Sequence, residues 1–235
     1  MADKNSPLIE TRNAEKVYFR KNSSPIRALD GVNLEVFAGE FLTLVGRSGS
    51  GKTTLLNLIG ALDRPTSGEV LFEGKSLGDF SNRDLAILRR EKIGFIFQTF
   101  NLLPSLTVFE NVESALIHSP MSKNAITEKV ATLLEIFDIT DKSGMLPLDL
   151  SVGQQQKVAI ARALVKNPVL ILADEPTGEM DPTAGKEIVA KLVELNRKSK
   201  VTMIVASHGA FPYTQTDRTL FIKDGKIVSQ KEAGY

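Results

Sequence analysis

One glycine-rich segment has the residue types and the spacing to bind phosphate. Gly46-Arg-Ser-Gly-Ser-Gly51-Lys52-Thr53, called the P-loop below, fits the pattern G-x-x-x-x-G-K-[ST] at each fixed position, and it lies between an apolar run and a helical pattern. Glycines let such a loop curl so that backbone N–H groups point at phosphate oxygens, and the following helix adds the positive end of its dipole. The segment predicts a nucleotide site in which Lys52 contacts the β- and γ-phosphates and the Thr53 hydroxyl binds Mg²⁺.

Two acids follow a second apolar run, in the segment Val169-Leu-Ile-Leu-Ala-Asp174-Glu175. Because ligands bind beyond the carboxyl ends of the strands in open α/β sheets, these acids are expected to face the nucleotide. We expect Asp174 to hold Mg²⁺ through water and Glu175 to orient or deprotonate a water that attacks the γ-phosphate. The alternative is a strand end that only exposes solvated carboxylates, and the complete P-loop in the same chain favours the functional interpretation.

Composition excludes several other chemistries. The 235 residues include no Cys and 2 His, which excludes disulfides, iron–sulfur clusters, Cys nucleophiles and multi-His metal centres. The 29 Lys and Arg nearly balance the 28 Asp and Glu, and a net charge of +1 argues against a nucleic-acid binder. The N-terminus is polar and no apolar run approaches the ~20 residues of a spanning helix. The sequence therefore predicts neither a secretory signal nor insertion in a membrane.

Strands and helices alternate along the chain, and these elements must position the candidate residues. The predicted strands are 8–19, 28–36, 41–45, 69–72, 93–97, 169–173, 201–206, 219–222 and 226–228. The predicted helices are 54–62, 82–90, 107–116, 125–137, 151–164 and 181–198. This alternation predicts an α/β fold with a parallel sheet covered on both faces, and the helices from about 100 to 165 predict a lobe inserted into it.

Three short patterns predict where elements begin or turn. Ser151 and Gln154 have the S-x-x-Q spacing of a capping box, which predicts a helix start. Asp181-Pro182 offers an N-cap followed by a proline at the first helical position. Asp224-Gly225 between two apolar runs predicts a tight β-hairpin.

The segment between the lobe and the acidic strand resembles a known family. Leu150-Ser-Val-Gly-Gln-Gln-Gln-Lys-Val-Ala-Ile-Ala-Arg-Ala-Leu164 is similar to the signature segment of ATP-binding cassette (ABC) ATPases, and the resemblance extends from about residue 9 to residue 228. Further matches are Tyr18 to the aromatic residue that stacks on adenine, Phe95-Ile-Phe-Gln98 to the Q-loop, Gly178-Glu-Met-Asp181 to the D-loop, and Ser207-His208 to the switch histidine. Their order and spacing together carry the resemblance.

A narrower resemblance is to the branch with the lipoprotein-releasing, macrolide-export and cell-division ABC ATPases. It rests on segments 60–68, 94–103, 110–112 and 172–178. Members of that branch work with membrane subunits that transmit force across the bilayer, and some are fused to their membrane domain. The resemblance implies a separate subunit or an excised domain, cytoplasmic and peripheral on the inner face of the cell membrane. Its partner would be an integral permease-type subunit, and it would bind no nucleic acid.

The resemblance also implies a fold and a division of the chain. Residues 1–235 would form a single ABC ATPase domain. Its P-loop NTPase core would comprise residues 8–100 and 165–235. This core would be a RecA-like, mostly parallel sheet with helices on both faces, together with an N-terminal antiparallel β subdomain. The inserted α-helical subdomain, with the signature segment, would occupy about 100–165.

For the site, the resemblance implies a nucleotide shared by two chains paired head to tail. Ser151 and Gly153 of one protomer would cap ATP held by the other, and the lobe near residues 101–110 would meet the membrane partner. The expected catalytic residues are Lys52, Gln98, Glu175 and His208, and the expected Mg²⁺ ligands are Thr53, Gln98 and Asp174. The expected ATP-binding residues are Tyr18, Gly46, Ser48, Gly49, Ser50, Gly51, Lys52, Thr53, Thr54, Ser151, Gly153, Gln154 and Asp181.

Three positions near the implied dimer seam depart from the family pattern. Val152 replaces the first signature glycine, Glu179-Met180 replaces a smaller pair in the D-loop, and Gly209 stands where an acid often follows the switch His. We expect ATP binding to be intact and dimer closure or turnover to be slower than usual.

Two alternatives to a transporter ATPase remain: an ATP-binding switch or scaffold with little turnover that recruits a membrane partner, and an ABC ATPase of DNA repair or translation. The interval of about 100 residues between P-loop and signature counts against the second.

Overall fold

Two β-sheets and a helical lobe are formed by residues 6–19, 21, 24–208 and 215–235, which the computed structural model describes. The strands are β1 (Ile9–Tyr18), β2 (Ile26–Val36), β3 (Phe41–Val45), β4 (Ser67–Phe72), β5 (Lys75–Ser76), β6 (Ile93–Ile96), β7 (Leu170–Asp174), β8 (Thr202–Ser207), β9 (Arg218–Lys223) and β10 (Lys226–Val228). The helices are α1 (Lys52–Ile59), α2 (Asn82–Lys92), α3 (Val108–Glu113), α4 (Lys123–Ile136), α5 (Val152–Leu164), α6 (Pro182–Ser199) and α7 (Gln230–Ala233).

The smaller sheet is antiparallel, in the order β2-β1-β4-β5. Its strands alternate between buried and exposed side chains, as in β1, where Ile9 and Thr11 are buried and Arg12 is exposed. This sheet confirms the antiparallel N-terminal part of the predicted fold class.

The larger sheet has the order β10-β9-β3-β8-β7-β6, and all its pairs are parallel except β9–β10. Its inner strands consist almost entirely of buried residues, since β3 and β8 are buried throughout, as expected for a parallel sheet covered on both faces. The carboxyl ends of β3, β7 and β8 lie at one edge of the sheet. The P-loop, the two acids and His208 follow these three ends, so the topology brings them together.

The helical lobe lies between β6 and β7 in the chain and packs on the sheet through α5. Val112 of α3, Val130 of α4 and Val158 of α5 are fully buried in one cluster, which also contains Ile96 at the end of β6. The lobe helices run from residue 108 to residue 164, inside the predicted insert. The subdomain boundaries at about 100 and 165 stay a prediction.

The element bounds differ from the predicted ones where backbone pairing or a residue at positive φ intervenes. Strand β2 begins at Ile26 rather than at residue 28, because Ile26 pairs with Tyr18. Helix α1 ends at Ile59 rather than at residue 62, because Ala61 has φ 54°. The helix predicted to reach residue 116 ends at Glu113 and continues only as a 3-10 turn.

Across the described segments, none of the helices combines the length and the apolar character that a membrane span requires.

Candidate functional site

The P-loop joins buried strand β3 to α1, and its shape depends on glycine. Gly49 and Gly51 have φ of 78° and 111°, values that residues with a Cβ rarely adopt. A Cβ on Gly51 would also lie 2.6 Å from the Ala28 carbonyl oxygen, so a larger residue would displace β2. The resulting curl encloses a concave backbone surface in front of the N-terminus of α1, the geometry that binds anions.

Neighbouring backbone holds this loop at both ends. The Gly46 N–H donates to the Ser207 carbonyl at the end of β8, at 3.2 Å. The Gly225 N–H, in the β9–β10 turn, donates to the Ser50 carbonyl at 2.9 Å. The predicted hairpin therefore also supports the P-loop.

Lys52 is nearly buried and points back into its own loop. Its side chain is 6% exposed, and Nζ donates to the carbonyls of Gly46 at 2.7 Å and Arg47 at 3.2 Å. The same ammonium lies 3.5 Å from Oε1 of Glu175. The cation is thus positioned where the loop closes around an anion.

Asp174 and Thr53 form the part of the site that fits a magnesium ion. The Thr53 hydroxyl donates to Oδ2 of Asp174 at 2.6 Å, while Oδ1 is buried and has no hydrogen-bond partner within the described segments. Burial raises the pKa of Asp174, the Thr53 hydrogen bond opposes that rise, and the nearby Glu175 charge adds to it. A divalent cation would satisfy the unpaired oxygen and offset the burial cost of the charge, so these residues fit Mg²⁺.

Glu175 is held by contacts on both of its carboxylate oxygens. Oε2 accepts from His208 Nδ1 at 2.7 Å and from the His208 backbone N–H at 3.2 Å, while Oε1 faces Lys52. Its backbone has φ 48° and its N–H donates to the Ala206 carbonyl on β8, which turns the carboxylate inward. The side chain of Glu175 is 13% exposed and that of His208 is 51% exposed. The predicted departure at Gly209 lies outside the described residues.

Tyr18 lies at the end of β1, beside α1. Its hydroxyl donates to Oδ2 of Asp63 at 3.1 Å, and Lys16 Nζ lies 5.0 Å from the ring centroid while it also pairs with Asp63 at 2.6 Å. Burial raises the pKa of Tyr18, and a hydrogen bond with Thr54 opposes that rise. The contact with Thr54 links the ring to the helix that follows the P-loop.

Gln98 follows β6 and reaches the D-loop. Its Nε2 donates to Oε1 of Glu179 at 2.8 Å. Phe100 and Asn101 follow shortly after Gln98 in the chain. Their carbonyls accept from the guanidinium of Arg162 on α5, at 2.8 Å and 2.7 Å. Gln98 is therefore connected to the D-loop, and the backbone just after it is connected to the signature helix.

The signature residues begin α5 as the capping pattern predicts. Ser151 Oγ accepts from the Gln154 N–H at 3.3 Å, and Gln154 Oε1 accepts from the Ser151 N–H at 2.9 Å. Val152 is 41% exposed at the first turn. Asp181 likewise caps α6. Within the described part of the chain, no hydrogen bond or ion pair joins Ser151, Gly153 or Gln154 to the P-loop.

The structure thus brings together five of the predicted residues by direct contact: Lys52, Thr53, Asp174, Glu175 and His208. Sequence reasoning missed two side chains that hold this region, Arg162 and Glu179. Arg162 gives no local signal of its partners, whereas Glu179 stands out as an unusual D-loop residue without revealing that it contacts Gln98.

The chain matches a family model described as ABC transporter over residues 29–178. It is 43% identical over 224 residues to the pyoverdine export ATP-binding/permease protein PvdT of Pseudomonas fluorescens, covering 95% of this chain and 34% of that protein. It is 42% identical over 223 residues to the macrolide export ATP-binding/permease protein MacB of Hyphomonas neptunium, covering 95% of this chain and 34% of that protein. The chain therefore spans about a third of the length of these two relatives.

A third relative is similar to the chain over its whole length. The uncharacterized ABC transporter ATP-binding protein MJ0796 of Methanocaldococcus jannaschii is 41% identical over 229 residues, covering 96% of this chain and 97% of that protein. Its dimeric structure superposes with a TM-score of 0.88 at 41% identity, covering 94% of this chain and 97% of that one. A dimeric post-hydrolysis structure of MJ0796 bound to ADP and Pi also has a TM-score of 0.88, with 40% identity over 94% of this chain and 97% of that one.

Proposed function

Because the chain belongs to the ABC transporter family, as one of its ATP-binding and ATP-hydrolysing cassettes, we propose that it pairs head to tail around ATP to drive a membrane partner. The observation that carries the proposal is a set of contacts at one edge of the large sheet. The Thr53 hydroxyl donates a hydrogen bond to Asp174. Beside this pair, Glu175 contacts Lys52 through one carboxylate oxygen and His208 through the other.

ATP binding engages the P-loop and Tyr18. The backbone N–H groups of the loop and the N-terminus of α1 bind the β- and γ-phosphates, and Lys52 exchanges the carbonyls of Gly46 and Arg47 for phosphate oxygens. The adenine base stacks on the Tyr18 ring, whose position beside Thr54 supports this role.

Hydrolysis requires a base for the attacking water, and Glu175 has the position for it. The water oxygen bonds to the γ-phosphorus while the bond from that phosphorus to the β–γ bridging oxygen breaks, and the water proton passes to the Glu175 carboxylate. His208 holds that carboxylate through its ring nitrogen and its backbone N–H. When bound, Mg²⁺ neutralises charge on the phosphate oxygens, and Thr53, Asp174 and Gln98 would hold it.

A second chain completes the nucleotide site. Ser151, Gly153 and Gln154 start α5, a second helix N-terminus suited to phosphate, and they make no hydrogen bond to the P-loop within the described segments. In a head-to-tail pair, these residues and Asp181 of one protomer cover ATP on the other. The dimeric structures of MJ0796 support this arrangement.

The membrane partner is an integral permease-type subunit, and the chain works peripherally on the cytoplasmic face of the membrane. The names of PvdT and MacB, each an ATP-binding/permease protein, support a permease partner, since the chain aligns with about a third of each. The chain acts as one ABC ATPase domain, with the lobe at about 100–165 as the part that meets this partner.

Light scattering with and without Mg-ATP tests the paired state. We expect ATP to double the molar mass when hydrolysis is slowed, and we expect the protein with ADP alone, without phosphate, to remain monomeric. Ser151→Arg should abolish the ATP-dependent dimer, because it introduces a long cation where the cap meets the partner's nucleotide. Ser122→Arg is the matched control, since Ser122 is also an N-cap whose hydroxyl accepts from the backbone N–H three residues on, and it lies outside the proposed seam.

Two results would contradict the paired state. One is a molar mass that ATP leaves unchanged in the wild-type protein when hydrolysis is slowed. The other is a Ser151→Arg variant that dimerises as readily as Ser122→Arg.

The second candidate function is an ATP-binding switch or scaffold with little turnover. It is favoured by Val152, whose partly exposed side chain stands at the N-terminus of α5 where the family pattern has a glycine. The bulk of this side chain would separate the cap from the γ-phosphate and slow dimer closure.

Replacing Val152 with Gly should raise the ATPase rate by about threefold or more, the effect of lowering the barrier by ~0.7 kcal/mol. The reason is that the two methyl groups no longer hold the cap away from the nucleotide. Steady-state phosphate release measures the effect. Val152→Ala should give an intermediate rate, because it removes the two methyl groups but keeps a Cβ at the cap, which Gly lacks. Equal rates in all three proteins would mean that Val152 is tolerated.

A further inference from the structure

The Gln98 side-chain amide has a defined orientation in the structure. Its Nε2 lies 2.8 Å from Oε1 of Glu179. A carboxylate can only accept hydrogen bonds, so the group that faces Glu179 must be the NH₂ and not the carbonyl oxygen. The amide oxygen, Oε1, is therefore left for another partner, and oxygen is the atom that binds Mg²⁺ or accepts from water.

Glu179 is itself held in place by the D-loop around it. The Gly178 N–H donates to the Glu175 carbonyl at 3.0 Å, and the Met180 N–H donates to the Thr177 carbonyl at 3.3 Å. The Met180 side chain packs against the buried cluster of the lobe, and a Cβ on Gly153 would lie 3.5 Å from its Cε. These contacts fix the backbone from which the carboxylate extends.

The backbone just after Gln98 is held by the signature helix, α5. Phe100 and Asn101 both have positive φ, 57° and 49°, and both carbonyls accept from the Arg162 guanidinium. Two guanidinium N–H groups that donate to consecutive carbonyls stabilise this left-handed backbone conformation, which is energetically unfavourable for residues other than glycine. Since both ends of the Gln98–Glu179 contact are supported, the contact can determine which way the amide points.

We propose that Glu179 is a positioning residue that acts through Gln98, by binding the amide NH₂ so that its oxygen faces the metal ion and the attacking water. Accepting a hydrogen bond from the amide also polarises it and makes Oε1 a better ligand. Glu179 touches neither nucleotide nor metal in this role. The inference rests on the proposed role of Gln98 and assigns a purpose to a D-loop residue that departs from the family pattern.

Removing the carboxylate should change the metal requirement and leave metal-free nucleotide binding unchanged. In Glu179→Ala, we expect the Mg²⁺ concentration for half-maximal ATPase rate to rise by about threefold to tenfold, because only part of the free energy of one hydrogen bond to a charged group is passed on through Gln98 to the metal. The affinity for ATP measured in EDTA should stay unchanged. Glu179→Gln should restore the wild-type Mg²⁺ requirement, because its amide oxygen still accepts from Gln98. Glu187→Ala, on the exposed face of α6, is the matched control for loss of an acid.

A readout without nucleotide or metal tests the contact itself. In ¹⁵N-labelled protein, the Gln98 side-chain NH₂ signals, assigned by their loss in Gln98→Glu, should shift and exchange faster with solvent in Glu179→Ala. They should keep their wild-type positions in Glu187→Ala. Signals that do not change in Glu179→Ala would overturn the proposal.

The kinetic outcomes separate this inference from the proposed function. A wild-type Mg²⁺ requirement in Glu179→Ala, or an equally raised requirement in Glu179→Gln, would overturn the positioning role while the ATPase function stands. A wild-type protein that neither binds nor hydrolyses Mg-ATP would overturn both.

Discussion

Replacing Glu175 with Gln is expected to slow ATP hydrolysis by about a hundredfold to ten-thousandfold, the usual contribution of a general base. The amide keeps the shape of the side chain and its contact with His208 but cannot take the proton of the attacking water. ATP should still bind, and it should bind at least as tightly, because Lys52 loses the carboxylate 3.5 Å away that competes with phosphate for its ammonium. The variant should therefore accumulate as an ATP-bound dimer.

Phosphate release, nucleotide affinity and light scattering together measure this result. Glu194→Gln, an isosteric change on the exposed face of α6, is the control and should behave as wild type. A wild-type protein as inactive as Glu175→Gln, even with its membrane partner present, would reject the transport ATPase and favour the ATP-binding switch.

Replacing Lys52 with Ala should weaken ATP binding by about two orders of magnitude or more, enough to abolish it at ordinary nucleotide concentrations. Charge-assisted hydrogen bonds contribute about 1.5–3 kcal/mol each, and about 1.4 kcal/mol corresponds to a tenfold change in affinity. Lys52 is the cation enclosed by the P-loop, and its ammonium already points at the loop carbonyls. Titration with a fluorescent ATP analogue measures the loss.

Two further variants separate lost binding from lost folding. Lys52→Met keeps the buried aliphatic stem, so it should fold like wild type and still fail to bind. Lys198→Ala removes an exposed lysine of α6 and should leave the affinity unchanged. Unchanged ATP affinity in Lys52→Met would contradict the assignment of the P-loop as the nucleotide site.

Much of the fold was predictable because its signals are local. The capping box of Ser151 and Gln154 and the N-cap of Asp181 form as their spacing predicts, since each needs only neighbouring residues. The Asp224-Gly225 turn has positive φ at both residues, 48° and 76°, the conformation that this dipeptide favours in a tight hairpin. Where local rules compete, as at the end of α1, the predicted bounds are wrong by a few residues.

The contacts that hold the site together were not predictable in the same way. Thr53 and Asp174 are 121 residues apart, Gln98 and Glu179 are 81 apart, and Asn101 and Arg162 are 61 apart. No local pattern contains both members of these pairs. The sequence marks Glu179 only as an acid near the implied dimer seam, and it gives no sign that Arg162 contacts the backbone just after the Q-loop.

The sequence by itself determined the chemistry of this protein, because a phosphate loop, an acidic strand end and a signature segment are each defined by residue types at short spacing. Only the tertiary structure decided which atoms of those residues face one another. Parallel strands β3, β7 and β8 bring three distant segments to one edge, and there Lys52, Glu175 and His208 come into contact. The orientation of the Gln98 amide depends on the D-loop, which follows a different strand. The direction of a side chain at such a site depends on how different elements pack against one another. The spacing of residues along one element does not determine it.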